Sequence, residues 1–200
     1  MRIEDIPESD IKRYKLDWLI KAKTRDADVE IRNGKVVWKD GIWKDGTWEG
    51  GTWLDGVWKG GTWEGGLWVR GEWKNGRWKD GTWLGGTWYD GVWRIGRWKD
   101  GEWQSGTWKS GVWHNGVWYD GTWEGGTWKY GVWADGDWLD GVWEGGTWEG
   151  GVWKGGIWKR GEWYGGEWDD RHNPRPDERT ASSNAKIASE LLRIAKQLTN

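Results

Sequence analysis

The chain contains no cysteine and no phenylalanine, and only one methionine, two histidines and three prolines among its 200 residues. Without cysteine there is no disulfide framework and no thiolate metal site, and a reducing compartment is allowed. No apolar run reaches the roughly 18 residues of a membrane span, and the start, Met1-Arg2-Ile3-Glu4-Asp5, has no apolar signal core. Neither sign of charge predominates, with 30 Lys and Arg against 32 Asp and Glu. The formal net charge of −2 divides into +1 for residues 1–35, −6 for 36–170 and +3 for 171–200. None of these is the cationic density that binds nucleic acid or an acidic membrane. The expectation is a cytoplasmic protein with neither a nucleic-acid nor a membrane partner.

What the chain does have is tryptophan and glycine, 28 and 36 residues respectively. Every fifth residue from Trp38 to Trp168 is tryptophan, and every fifth residue from Gly41 to Gly166 is glycine. With glycine as the first position of the unit, tryptophan is the third, as in Gly61-Thr62-Trp63-Glu64-Gly65. The second position is mostly Thr or Val but includes Glu72, Arg77, Arg97, Glu102 and Asp137, and the fourth is mostly Lys or Glu. Neither can face a dry core throughout. Tryptophan is the only large apolar residue in every unit, so it supplies the core. Trp43, Trp63, Trp83, Trp103, Trp123, Trp143 and Trp163 stand for the series. The fifth position is usually Asp, Gly or Asn and is followed by Gly, which places a tight turn in every unit. Each indole N–H is then expected to find a carbonyl or water.

Two all-β architectures use such turns: an antiparallel meander of very short strands, or a solenoid that turns a corner after each segment. Residues stacked in successive coils tend to resemble each other. Thr87, Thr107, Thr127 and Thr147 form one series in which each member lies four units after the last, Val92, Val112, Val132 and Val152 form another, and Arg77 matches Arg97. Identities are more frequent four units apart than three or five units apart, which favours four units per coil. Duplication of four-unit blocks leaves the same trace.

The small residue two before a bulky apolar centre in every unit resembles the pentapeptide-repeat proteins. That resemblance implies a right-handed, four-sided β-helix of about 20 residues per coil with the tryptophans inward, just under seven turns in a rod of about 30 Å. Trp stands where that family has Leu or Phe, and Gly where it has Ala. A second resemblance is to MORN repeats, carried by Gly71-Glu72-Trp73-Lys74-Asn75-Gly76, and it implies the antiparallel meander.

Four segments follow: a helix and hairpin cap at 1–35, the solenoid at 36–170, a proline-containing linker at 171–181, and an amphipathic helix at 182–200. In the first, Ser9-Asp10 can cap a helix to about Lys23 with Ile11, Tyr14, Trp18 and Leu19 on one face, and Asn33-Gly34 offers a turn. In the last, Ile187, Leu191, Ile194 and Leu198 recur at helical spacing, suited either to capping the last coil or to docking on a protein partner.

No reactive constellation emerges. His114 and His172 have no partner implied by spacing, and Asp55, Asp135 and Asp140 are accounted for by turn chemistry. The expectation is a non-enzymatic structural protein without metal or cofactor, a rigid rod held in a larger assembly by its terminal segments. Arrays of this kind look like those of phage and bacterial proteins, which suggests a virion component. The alternatives are a glycan- or protein-binding module using Tyr89, Tyr119, Tyr130 and Tyr164, and a DNA mimic that binds topoisomerases. The 15 basic side chains beside 21 acidic ones on the array count against the mimic. Edge-on stacking of coils would make a homo-oligomer.

Overall fold

The computed structural model describes residues 1–169. Within them the second position and the tryptophan of each unit form a two-residue strand, from β3 (Thr47–Trp48) to β27 (Glu167–Trp168). Thr47 pairs in parallel with Thr62 and Trp48 with Trp63, and the same separation of three units still holds where Trp153 pairs with Trp168. The protein is thus an all-β parallel solenoid. Its 27 units, at three to a coil, make nine coils, a rod of about 43 Å at the usual layer spacing of about 4.8 Å.

This corrects the expected coil of four units, and the reason lies in the core. The Trp103 ring lies flat between those of Trp88 and Trp118, at centroid distances of 4.8 and 4.7 Å. Rings of adjacent units meet edge to face, as Trp103 and Trp108 do at 6.0 Å and 75°. Both geometries suit the aromatic quadrupole. Three indoles meeting in this way close the cross-section, whereas a fourth unit per coil would open a void that no other side chain of the repeat enters. Thr87 is stacked on Glu102, not on Thr107, so the likeness between every fourth unit corresponds to no contact. The meander is likewise replaced: among the described residues the one antiparallel pair is that of β1 (Lys23–Arg32) with β2 (Lys35–Asp45).

Of the two turn positions, only the first-position glycine takes positive φ, between 92° and 139° from Gly41 to Gly166. The fifth-position Asp or Asn serves it from the side. Asp120 Oδ1 accepts the Gly121 N–H at 2.6 Å, and Asp90 does the same for Gly91.

The amino-terminal cap differs from the single helix expected. It consists of a 3-10 turn (Ile3–Asp5), α1 (Glu8–Tyr14) and α2 (Asp17–Lys21). The break falls at Lys15, which adopts the left-handed conformation at φ 56° and lets the chain swing Leu16 and Leu19 into full burial. Asn33 and Gly34, both at positive φ, then make the two-residue hairpin turn read from the sequence. Strand β1 closes two columns of the core by pairing with Val37, Trp38 and Trp43 of β2. The third column is closed by α2, whose Trp18 ring meets Trp48 edge-on at 5.1 Å.

Candidate functional surface

Because tryptophan points inward at every unit, whatever the rod presents is carried by the second, fourth and fifth positions. Trp43, Trp63, Trp83, Trp103, Trp123 and Trp143 are completely buried, and Trp163 in the last coil is half-buried. The indole N–H groups do not behave as expected. From Trp38 to Trp148 every one is buried with no carbonyl or other protein acceptor among the described residues, except that of Trp138, which donates to the Gly155 carbonyl at 3.0 Å. The edge-to-face packing that fills the coil turns each ring toward other rings and the corner glycines, so packing takes precedence over hydrogen bonding. Ile187, Leu191, Ile194, Leu198 and His172 lie outside the described residues.

The outer side chains form ladders that advance three units at each step. Lys79 Nζ pairs with Glu64 at 2.8 Å, Lys109 with Glu124 at 3.0 Å and Lys159 with Glu144 at 3.3 Å. Arg70 pairs with Asp55 at 2.8 Å by the same rule. All are solvent-exposed to a large degree, so each adds well under 1 kcal/mol at the usual value for such pairs, about 0.2–1 kcal/mol. Asp55, Asp135 and Asp140 each accept the N–H of the following glycine, at 2.7, 2.8 and 2.7 Å. Among the described residues no three His, Asp or Glu come together as a metal site.

Two columns carry distinctive chemistry. In one, Tyr89, Gln104 and Tyr119 are stacked at the fourth position, with Lys74 Nζ lying 3.5 Å over the Tyr89 ring. In another, the fourth positions read Glu64, Lys79, Arg94, Lys109, Glu124, and the second-position Arg77 stands beside Lys79. Around the next corner lie Arg97, Lys99, His114 and Lys129. His114 Nε2 is 3.2 Å from Lys99 Nζ. Partial burial, and then the cations Lys99, Lys129 and Arg97, hold the His114 pKa below its ordinary value. Ile95 protrudes between these rows, 47% exposed. Two shallow hollows of about 500 and 410 Å³ share Ile95 and Asp80. Reasoning at a four-unit step passes over this cluster, because only a three-unit step brings Lys79, Arg94 and Lys109 into line.

Among the described residues no helix is long and apolar enough to cross a membrane. No model of a known protein family matches the chain, and no curated protein matches it significantly.

Proposed function

We propose that the protein is a non-enzymatic structural element, a stiff rod that spaces or anchors parts of a larger protein assembly. The observation that carries this reading is the unbroken stacking of the three tryptophan columns, each ring flat on the ring one coil away from Trp38 to Trp168. A core of that kind resists bending because any tilt between coils separates whole ring faces at once. The five-residue period supports kinship with pentapeptide-repeat proteins, although the three-unit coil departs from the four-unit coil of that resemblance. A place in a phage virion rests on the likeness of the array alone.

The test is cross-linking with mass spectrometry in the source cell or particle, paired with small-angle scattering of the purified chain. The reading expects a scattering profile of a rod and cross-links to a structural protein, concentrated on residues 182–200. A flexible or compact particle, or a chain that cross-links to no other protein, overturns it.

A second reading has one observation behind it. Tyr89 and Tyr119, both exposed, share a column two coils apart with the Gln104 amide between them, an arrangement suited to a sugar chain laid along the rod. Loss of glycan-array binding in Tyr119→Ala would support it, and the absence of any glycan binding would discard it.

A further inference from the structure

We propose that the corner carrying Arg94 and Ile95 is a docking surface for an acidic segment of another protein, one that sets a carboxylate on the Arg94 guanidinium and an apolar side chain on Ile95. The surface is independent of the terminal segments to which the assembly reading appeals.

Arg94 is held in register between two like charges. Its amide donates to the Trp78 carbonyl at 2.8 Å, and the Lys109 amide donates to that of Trp93 at 2.8 Å, so Lys79, Arg94 and Lys109 succeed one another coil by coil. Like charges directly stacked on neighbouring strands repel. Lys79 relieves this by turning one way to Glu64, and Lys109 by turning the other way to Glu124. Arg94 is left between them with no carboxylate among the described residues, exposed, and beside a further exposed guanidinium at Arg97. A planar fork in that position is complementary to an incoming carboxylate, which it can take with two parallel N–H···O bonds.

Ile95 gives the surface its apolar half. It stands at the fifth position, where Asp80, one coil earlier, and Asp100, one unit further along the chain, accept the N–H of the next glycine at 2.7 and 2.9 Å. Isoleucine cannot make that bond, so the turn at Gly96 forgoes it for a side chain that is 47% exposed. Arginine is enriched at the centres of protein interfaces, and the exposed aliphatic beside it supplies apolar area for a partner side chain to cover.

Nucleic acid fits less well. The row of unbroken cations is three coils long, about 10 Å between its outer members at the usual layer spacing, and Glu64 and Glu124 close it at both ends. A phosphate backbone tracking the rod would meet carboxylates immediately beyond.

The experiment uses the full chain and fluorescence anisotropy with a labelled peptide of alternating Glu and Leu. Matched probes replace Leu by Ser, Glu by Ser, or the peptide by a single-stranded oligonucleotide. The expected result is saturable binding of the Glu-Leu peptide that weakens with salt and falls about tenfold or more in Arg94→Glu. Ile95→Ser is expected to abolish the advantage of the Glu-Leu peptide over the Glu-Ser one. Unchanged near-ultraviolet circular dichroism confirms that both variants keep the core. The proposal is overturned by no saturable binding, by equal binding to Arg94→Glu, by tighter binding of the oligonucleotide, or by a dimer that Arg94→Glu dissolves.

Discussion

The Trp108 ring lies flat on the Trp123 ring, three units further along the chain, with 4.8 Å between centroids and 5° between planes. The residues before them, Thr107 and Thr122, are therefore direct partners in a parallel ladder. In a chain without cysteine this register can be read by cross-linking. The double variant Thr107→Cys, Thr122→Cys is expected to oxidise to an intramolecular disulfide, because adjacent strands bring Cα atoms within the roughly 4.4–6.8 Å that a disulfide spans. Thr107→Cys with Thr127→Cys, four units apart, is expected to stay reduced or to cross-link between molecules. Mass under non-reducing conditions distinguishes the two, and the reverse outcome would restore the four-unit coil.

A buried indole with an unpartnered N–H makes an unusual prediction. Trp103→Ala removes a ring stacked on both sides and is expected to cost about 3–5 kcal/mol in urea unfolding. Trp103→Phe leaves a flat ring in the column and removes a donor that has no protein acceptor. It is expected to cost less than half as much. Equal costs for the two would mean that the N–H has a partner of consequence.

The two glycine positions are predicted to differ. A Cβ at Gly106, where φ is 116°, would stand 2.5 Å from the Gly91 carbonyl oxygen one coil below. At Gly85 the nearest atom would be the Val69 carbonyl oxygen at 3.8 Å, an ordinary contact. Gly106→Ala should therefore cost about 2 kcal/mol or more, while Gly85→Ala should lie within about 0.5 kcal/mol of the parent. Thermal melting of the two variants side by side decides it.

His114 supplies a prediction about pH. Its folded pKa is depressed below the ordinary 6.5 by burial and by Lys99, Lys129 and Arg97. The unfolded chain consequently takes up this proton first, so the contribution of His114 to stability is present above pH 6.5 and declines as pH falls toward the folded value. Proton NMR of the ring should show a midpoint below 6.5, moved upward in Lys99→Gln. A midpoint unmoved by that substitution would remove the cationic neighbourhood as its cause.

Much of this was legible from five-residue periodicity. The inward tryptophan followed from the charges at Glu72, Arg77 and Asp137, which no core would admit at the second position, and Asn33-Gly34 identified the hairpin. The coil length was not read, because it is set by how many indoles close a cross-section, and its trace at the variable positions is a few opposite charges three units apart, such as Glu64 and Lys79, where a search for identities finds nothing. The outer residues tolerate almost any neighbour, so their similarity between every fourth unit records something other than contact. The surface at Arg94 and Ile95 was hidden for the same reason. Its residues are ordinary singly, and only the correct step places them together. The break at Lys15 had no signal, since a lysine in the left-handed region is chosen by where Leu16 and Leu19 must go.

Each interior coil touches only the coil above and the coil below, through the same flat and tilted ring contacts. Thermodynamically the rod is then a one-dimensional lattice, in which stability is a sum of like terms and length is a free variable. Melting in such a lattice begins at an end and runs inward like a zipper. One end is already fastened by Trp18, Leu19 and Val29, and lengthening the array by a whole coil should raise the melting point without any change to what that fastening must do.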